Sequence, residues 1–305
     1  MVDKITLRDY QKEAMKEIIS VPKSLICIKP GRGKTLISIF AAKYMLKKGM
    51  IDKAIFCGTA TSINSFVKAF TQQLNTPVKI IEKASDFLEF IHNDKKVCLC
   101  KHHMFELIGS NNNYLKDIEK EISTRKLRMF LALDEAHNLS SAAGVTSLRK
   151  SAGVGHVNFE RCRFMFARIA LLTATPYSSC LSQFYGLIHL IYPELWDTPK
   201  AFWNQYIKVK EIRDWKTGKF LRYEPQEYIN LPQLRKQIEP FAYFYYPPAI
   251  LHFVEHYTRL KDYTKYNELV MGVITQEDID KAVAKAEERA RKEAEKQAKK
   301  LKKKG

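Results

Sequence analysis

Short apolar segments alternate with helical patterns along most of the chain. Predominantly apolar runs with the length of buried strands occur at 24–28, 53–58, 78–81, 97–100, 129–133 and 169–172. Several precede segments with apolar residues at helical spacing, as at 36–46. Strands that alternate with helices are typical of a sheet covered by helices on both faces. The pattern predicts an α/β fold with a mainly parallel sheet.

A glycine-rich loop separates the first apolar run from the first long helical pattern. Residues 29–35 read Lys-Pro-Gly-Arg-Gly-Lys-Thr. Glycines let backbone N–H groups close around phosphate oxygens, and the helix N-terminus adds a favourable dipole. Lys34 is expected on the β- and γ-phosphates of a nucleotide, and the Thr35 hydroxyl on Mg²⁺. The strict pattern has a glycine where Ile28 stands, so a chance glycine turn before a helix is the alternative.

An acidic pair follows the apolar run 129–133. Asp134 and Glu135 come directly after it, within Asp-Glu-Ala-His. The carboxyl ends of buried parallel strands are where α/β sheets place their active sites. Asp134 is therefore expected to hold Mg²⁺, and Glu135 to orient and deprotonate an attacking water. A simple acidic loop at a strand end is the alternative.

Small hydroxyl residues follow two other predicted strands. Thr59, Thr61 and Ser62 begin a helix after the run 53–58, where hydroxyls and N–H groups suit phosphate contacts and helix capping equally well. The run 169–172 ends in Thr-Ala-Thr-Pro, at 173–176. Such hydroxyls can bridge a nucleotide site to a neighbouring surface, or can simply end a strand.

The segment 7–11, Leu-Arg-Asp-Tyr-Gln, opens a helix about twenty residues before the glycine loop. The carboxamide of Gln11 can pair with both the donor and the acceptor edge of adenine. A solvated helix start explains the same residues without a ligand.

The six cysteines, at 27, 57, 98, 100, 162 and 180, show neither paired metal spacing nor a dense disulfide pattern. A reducing, intracellular setting fits them best. Cys98, Cys100, His102 and His103 could suggest a metal site. Because no second ligand cluster faces them with zinc-like spacing, core thiols are the preferred interpretation.

The chain of 305 residues has a net charge of +18 and an isoelectric point near 9.5. Eleven Lys or Arg against four Glu from 281 onward give +7, which leaves +11 for the first 280 residues. Such an excess favours a polyanionic partner, nucleic acid first and anionic membrane second. The N-terminus lacks a signal-peptide pattern, and no apolar run approaches membrane-spanning length. We expect an intracellular protein, cytoplasmic or nucleoid-associated, or a viral protein in a host cell.

The remaining pattern is coarser. Residues 140–160 form a glycine-containing stretch expected to be rich in loops, and 181–206 is mostly helical with a break at 192–195. Residues 215–220 predict a hairpin turn. A helix is expected from Leu231, a strand at 250–255, a helix at 263–271, and one long Ala/Glu/Lys/Arg helix from 278 to 304.

The order of these motifs resembles the first RecA-like lobe of superfamily 2 helicases and translocases. Leu-Arg-Asp-Tyr-Gln, Gly-Arg-Gly-Lys-Thr, a Thr/Ser-rich strand end, Asp-Glu-Ala-His and Leu-Thr-Ala-Thr-Pro follow one another. Lys34 and Asp134 are 100 residues apart, and Asp134 and Thr175 are 41 apart. Within that superfamily the chain looks most like the Swi/Snf-like ATPases, because 230–241 is similar to the segment that closes their first lobe.

The resemblance implies a role for each matched position. Adenine recognition would fall to Gln11, helped by Arg8 and Tyr10. The phosphates and Mg²⁺ would be bound by Gly31, Arg32, Gly33, Lys34 and Thr35, with Asp134 as the Mg²⁺ ligand and Glu135 as the base. Coupling of the nucleotide state to DNA would involve His137, Thr173 and Thr175, and the nucleic-acid backbone would contact Thr59, Thr61 and Ser62.

Two departures from the family accompany the match. The aromatic segment 241–248 stands where the family usually has an Arg-rich one, and a second lobe with its arginine finger is not found. In comparable phosphoryl-transfer enzymes that finger contributes about 10³–10⁵ in rate. The expected organisation is a RecA-like ATP-binding lobe at 1–245, a linker or the start of a second lobe at 246–275, and an exposed basic helical tail at 276–305.

Two functions follow as hypotheses. In the first, the chain binds Mg-ATP and nucleic acid, with duplex DNA as the expected partner, and hydrolyses ATP once a second lobe joins from another chain or by self-association. In the second, it is a non-hydrolysing ATP- and DNA-binding scaffold or regulator, although a pure binder has no chemical need for Glu135. A small P-loop kinase is a weaker third reading, since such kinases do not require the two later motifs.

Overall fold

The computed structural model describes residues 6–74, 76, 78–140, 154–176 and 181–245. Within these ranges most strands are followed by helices, as the apolar pattern predicts. The strands are β1 (Lys23–Cys27), β2 (Lys53–Gly58), β3 (Lys79–Ile81), β4 (Val97–Lys101), β5 (Met129–Asp134), β6 (Arg168–Thr173), β7 (Ile207–Arg213), β8 (Phe220–Tyr228) and β9 (Ala242–Phe244).

Seven of these strands form one sheet in the order β3-β4-β2-β5-β6-β1-β9, and every neighbouring pair in it is parallel. All seven carboxyl ends therefore lie at the same edge of the sheet. The antiparallel strands β7 and β8 form a separate hairpin. The helices are α1 (Asp9–Ser20), α2 (Lys34–Lys47), α3 (Ala60–Lys68), α4 (Ala84–His92), α5 (Met104–Gly109), α6 (Asn112–Arg125), α7 (Val154–Cys162), α8 (Ser182–His189), α9 (Pro199–Tyr206) and α10 (Leu231–Ile238).

Helices cover both faces of the large sheet. Alternate residues of a strand point to opposite faces, and in β5 Phe130 and Ala132 enter one apolar core while Leu131 and Leu133 enter the other. The first core contains buried residues of α1, α2 and α3, and the second contains buried residues of α4 to α10. Burial on both faces explains why the central strands are predominantly apolar.

A buried lysine fixes one end of the sheet. The Lys53 side chain is 3% exposed, and its ammonium donates hydrogen bonds of 2.7, 2.6 and 2.9 Å to the carbonyls of Phe90, Asn93 and Lys95. These carbonyls belong to the last turn of α4 and to the loop that leads into β4. Since the last carbonyls of a helix have no partner inside it, Lys53 satisfies groups that burial would otherwise leave unpaired.

The α/β prediction is confirmed, and so is the hairpin, whose turn is closed by a 2.8 Å hydrogen bond from the Asp214 N–H to the Lys219 carbonyl. The break at 192–195 contains a short 3₁₀ helix at Pro193–Leu195. The expectation that 140–160 is rich in loops is wrong for its last part, which begins α7. There Phe159 is fully buried, so packing supplies what the weak local pattern does not show.

Part of the aromatic segment 241–248, which departs from the family pattern, forms a strand of the large sheet. Residues 242–244 form β9, which pairs in parallel with β1 at the sheet edge. The predicted elements at 250–255, 263–271 and 278–304 lie outside the described residues, as do the regions 246–275 and 276–305. None of the described helices has both the length and the apolar character needed to cross a membrane.

Candidate nucleotide-binding site

The glycine loop joins the end of β1 to the start of α2. Gly31 and Gly33 have φ angles of +70° and +84°, in the left-handed region that glycine enters without a steric penalty. A Cβ on Gly33 would lie 2.5 Å from Nε2 of Gln11, so this position also lacks room for a side chain. The loop thus bends tightly and returns its backbone to the first turn of α2.

Lys34 is the first residue of α2, and only 8% of it is exposed. Its ammonium donates a 3.0 Å hydrogen bond to the carbonyl of Ile28, the residue that follows β1. Thr35 comes next in the helix and is half-buried. Both predicted phosphate-site side chains therefore lie at the end of β1.

Gln11 packs against the glycine loop. Its Nε2 donates a 3.0 Å bond to the Arg32 carbonyl, and its Oε1 accepts a 2.9 Å bond from the Arg8 N–H. The Tyr10 hydroxyl donates to the same Arg32 carbonyl at 3.0 Å, and the Tyr10 ring stacks on Tyr245 at 4.0 Å. The structure thus brings the segment around Gln11 and the glycine loop together. Both ends of the Gln11 amide have protein partners, so pairing with adenine would require exchanging these bonds.

Asp134 ends β5, two strands away from β1, and is 7% exposed. Its Oδ1 is buried and has no hydrogen-bond partner among the residues that the structure describes. A buried carboxylate oxygen without a partner is costly unless a ligand satisfies it. Oxygen donors are the ligands that Mg²⁺ prefers, so this orphaned atom fits the predicted Mg²⁺ site.

Glu135 follows with a left-handed backbone, at φ +49° and ψ +45°. That conformation costs a non-glycine residue of the order of 1–3 kcal/mol and is concentrated at functional sites. Its carboxylate lies 3.3 Å from Nδ1 of His137, which belongs to the 3₁₀ helix Ala136–Leu139. The chain therefore turns sharply between Asp134, the last residue of β5, and the 3₁₀ helix that contains His137.

His137 joins the ends of β5 and β6. Its Nδ1 is 3.0 Å from the Thr173 hydroxyl and 3.2 Å from the Thr175 hydroxyl, and the Thr175 N–H donates to Thr173 Oγ1 at 3.1 Å. Burial lowers the pKa of His137, while Glu135 and Asp134 oppose that shift. The three predicted coupling residues therefore form one hydrogen-bonded group.

The predicted nucleic-acid residues lie at the next strand end, on β2. Thr59 caps α3, because its Oγ1 accepts a 3.2 Å bond from the Ser62 N–H and lies 3.1 Å from the Ser62 hydroxyl. Ser62 is 6% exposed, whereas Thr61 is exposed. Capping thus engages Thr59 and Ser62, and of the three residues Thr61 is the most exposed.

One residue of this region was missed by the sequence prediction. His102 follows β4, and its Nε2 donates a 2.8 Å hydrogen bond to the backbone carbonyl of Asp134. The sequence places His102 close to Cys98 and Cys100, which are buried core thiols as expected. The available signal was its position directly after a predicted strand.

A parallel sheet thus gathers a Gly-x-Gly-Lys-Thr loop, an Asp-Glu pair and a His-Thr-Thr contact at neighbouring strand ends. This combination defines a RecA-like domain of the superfamily 2 helicase type. The chain belongs to the family described as "Type III restriction enzyme, res subunit" (ResIII), whose sequence model matches residues 4–178.

Curated relatives include viral enzymes. The chain is 26% identical over 220 residues to Nucleoside triphosphatase I of Choristoneura biennis entomopoxvirus, and 27% identical over 226 residues to the protein of that name from Amsacta moorei entomopoxvirus. Each match covers 69% of this chain and 31% of the relative. The chain thus spans about a third of the length of these relatives.

Solved structures share the fold. The Sulfolobus solfataricus SWI2/SNF2 ATPase core in complex with dsDNA superposes with a TM-score of 0.54 at 14% identity, over 79% of this chain and 44% of that one. The same ATPase core domain in a second structure gives a TM-score of 0.52 at 12% identity, over 82% and 46%. The predicted α/β, RecA-like fold is therefore confirmed.

Proposed function

We propose that this chain is the nucleotide-binding lobe of a DNA-dependent ATPase of the helicase or translocase type. The observation that carries the proposal is the buried Oδ1 of Asp134, which has no hydrogen-bond partner within the described part of the chain. Asp134 lies beside Glu135 at the sheet edge that also holds Lys34. A binding module that never cleaves phosphate has no use for a strained carboxylate next to this site. Membership of a helicase-type family and similarity to nucleoside triphosphatases support the same activity.

The protein groups divide the work on the nucleotide. The N–H groups of the glycine loop and Lys34 would bind the phosphates, which requires the Lys34 ammonium to leave the Ile28 carbonyl. Thr35 and Asp134 would hold Mg²⁺, which when bound neutralises charge on the β- and γ-phosphates. Glu135 would orient the attacking water and accept its proton. Gln11, with Arg8 and Tyr10, would recognise adenine.

Nucleic acid is the proposed second ligand. The net charge of +18 suits a polyanion, and one structural neighbour is an ATPase core in complex with dsDNA. Thr61 and the first N–H groups of α3 would contact the backbone, and the group formed by His137, Thr173 and Thr175 would report the nucleotide state to that surface. Duplex DNA is the form proposed.

A second RecA-like lobe would complete the cleft, from another chain or by self-association. Support comes from the resemblance to superfamily 2 ATPases, which hydrolyse ATP in a cleft between two lobes. In comparable phosphoryl-transfer enzymes an arginine finger from outside the phosphate loop stabilises the charge of the transition state. We therefore expect turnover per chain to rise with protein concentration if self-association supplies that lobe.

The test measures ATP binding and ATP turnover by the purified chain, with and without duplex DNA. Lys34→Ala should abolish binding, whereas Lys43→Ala, which changes an exposed lysine of the same helix, should not. Glu135→Gln should bind ATP and lose at least about 100-fold in turnover. Failure of the unchanged chain to bind ATP would refute the proposal. ATP binding with turnover equal to that of Glu135→Gln, at all protein and DNA concentrations, would favour the non-hydrolysing scaffold.

A further inference from the structure

Three metal-ligand side chains meet outside the nucleotide site. His156 and Glu160 belong to α7, and His189 ends α8. Their candidate ligand atoms lie within 4.8 Å of one another. None of the three has a role in the function proposed above, and none is among the predicted site residues.

The triangle formed by these atoms has the size of a zinc coordination site. His156 Nε2 is 3.4 Å from His189 Nδ1 and 3.7 Å from Glu160 Oε1, and the latter two atoms are 2.8 Å apart. Zinc bonds of about 2.0–2.2 Å at tetrahedral angles separate ligand atoms by roughly 3.3–3.6 Å. The observed distances span that range, and rotation of the Glu160 carboxylate would adjust the shortest one.

His156 is oriented as a ligand. The ring is 2% exposed, and its Nδ1 lies 2.8 Å from the Leu139 carbonyl, which can only accept a hydrogen bond. Nδ1 therefore carries the proton, and in the neutral ring the Nε2 lone pair points at His189 and Glu160. Metal-bound histidines almost always have their other ring nitrogen held in this way by a carbonyl or a carboxylate.

A hydrogen bond alone explains only part of the cluster. His189 Nδ1 can donate to Glu160, which accounts for the 2.8 Å edge and for a half-buried ion pair. The His156 lone pair then faces the same Nδ1–H at 3.4 Å, as a weak second acceptor. The Arg163 guanidinium donates a 3.3 Å hydrogen bond to the backbone carbonyl of His189, and the ring centroids of Tyr185 and His189 are 5.2 Å apart. These contacts hold His189 next to the His156 ring.

We propose that His156, Glu160 and His189 form a binding site for a transition-metal cation, and that the cation is Zn²⁺. Two imidazoles and one carboxylate are a donor set that suits Zn²⁺, whereas Mg²⁺ prefers oxygen donors throughout. The spacing of four residues places His156 and Glu160 on one face of α7, and a water molecule would complete four-coordination. The proposal does not depend on nucleotide binding.

The site would connect α7 and α8 to the acidic strand end. Leu139, whose carbonyl holds His156, is the last residue of the 3₁₀ helix that begins after Glu135 and contains His137. A metal bound by the triad therefore fixes both helices against that turn. Zinc binding should raise the melting temperature of the chain. It should also restrict the motion of the turn that follows Asp134 and Glu135.

The test uses the full chain, stripped with a chelator and kept in excess Mg²⁺ to fill the nucleotide site. Competition titration with a zinc indicator should give one equivalent of bound Zn²⁺. Co²⁺ should give the visible spectrum of a nitrogen- and oxygen-ligated four-coordinate ion. Glu160→Gln and His189→Ala should each weaken Zn²⁺ binding by about 100-fold or more, since even groups that only hydrogen-bond to a ligand contribute about 10- to 100-fold. His103→Ala, at an exposed histidine, is the matched control and should bind normally.

Three results would overturn the proposal. The first is no stoichiometric zinc binding by the unchanged chain. The second is binding that survives both Glu160→Gln and His189→Ala, which would place the ion elsewhere. The third is a thiolate-to-cobalt charge-transfer band, which would indicate cysteine ligands. Circular dichroism of each variant in the presence of chelator shows whether that variant folds. The first and third results are measured on the unchanged chain, so they hold even if a variant fails to fold.

Discussion

His102 Nε2 donates a 2.8 Å hydrogen bond to the backbone carbonyl of Asp134. His102 follows β4 and Asp134 ends β5, and these two strands are not neighbours in the sheet. β2 lies between β4 and β5, and its last residue is Gly58. A Cβ on Gly58 would lie 2.6 Å from the Ser62 side chain and 3.4 Å from Asp134 Cβ. The absence of a side chain at Gly58 therefore leaves room for the His102–Asp134 hydrogen bond to pass over the end of β2. Three strand ends are thus joined beside the acidic pair, and the Asp134 backbone is fixed where the left-handed turn at Glu135 begins.

The first prediction concerns His102 as a positioning residue. His102→Ala removes the donor to the Asp134 carbonyl, so we expect about a 10-fold loss in ATP turnover, the lower end of what partners of metal-site residues contribute. The loss should appear in kcat and in the Mg²⁺ concentration needed for half-maximal rate. His102→Gln, whose Nε2 can occupy the place of the imidazole Nε2, should restore most of both.

The contrary result is equally measurable. If His102 were only a packing residue, Gln and Ala variants would lose stability and leave the Mg²⁺ requirement unchanged. Steady-state kinetics at several Mg²⁺ concentrations, with denaturant unfolding of each variant, separates the two cases.

The second prediction is acid sensitivity. Burial lowers the pKa of His102, His137 and His156. The unfolded chain, in which histidine titrates near about 6.5, therefore binds more protons than the folded chain at mildly acid pH. The stability that these groups contribute is complete above that value and is lost as pH falls through their folded pKa values.

The free energy of unfolding should consequently fall between about pH 7.5 and about pH 5.5. Denaturant titrations with a chelator present measure this directly. His102→Gln cannot titrate and should flatten the pH dependence. A slope identical to that of the unchanged chain would show that His102 does not contribute.

Much of the site was predictable because its chemistry is local. The glycine loop, the Asp-Glu pair and the Thr-Ala-Thr-Pro segment each follow an apolar run that forms a central strand, and parallel strands bring their carboxyl ends together. The resemblance implied a shared coupling role for His137, Thr173 and Thr175, and the structure shows that the three are in contact. These features need only the strand assignment and the parallel direction of the sheet.

Other features depend on tertiary contacts that no local pattern reports. Gln11 has both ends of its amide engaged by the Arg8 N–H and the Arg32 carbonyl, and Ser62 is buried by the cap of its own helix. The triad of His156, Glu160 and His189 is assembled from two helices separated in sequence. α7, which carries two of its members, was hidden in a stretch whose glycines predict loops.

The third prediction tests Lys53 as a buried cap. Lys53→Met keeps the length of the side chain but leaves three carbonyls without their charged donor. Hydrogen bonds to charged groups are worth about 1.5–3 kcal/mol each, and water can replace some of them, so a loss of about 2–4 kcal/mol in the free energy of unfolding is expected. Lys68→Met, at an exposed position of α3, should change it by less than about 0.5 kcal/mol. Equal effects in the two variants would contradict the capping role.

The fourth prediction uses two glycines with similar backbones and different surroundings. Gly33 has φ +84° and Gly49 has φ +65°, so alanine at either position should cost about 1–2 kcal/mol of stability from the left-handed conformation alone. A Cβ on Gly49 meets nothing within 4 Å, whereas a Cβ on Gly33 lies 2.5 Å from Gln11 Nε2. Only Gly33→Ala displaces the Gln11 amide, so only Gly33→Ala should weaken ATP binding, by about 10-fold or more.

A double variant shows whether that loss passes through Gln11. If the added methyl acts by displacing the amide from the Arg32 carbonyl, then Gly33→Ala adds little to Gln11→Ala in ATP affinity. The coupling between the two changes would be large, as it is for residues in direct contact. Additive losses would instead mean that the methyl distorts the phosphate loop itself. Equilibrium binding of a fluorescent ATP analogue to the four proteins distinguishes these outcomes, and Gly49→Ala reports the effect of backbone strain alone.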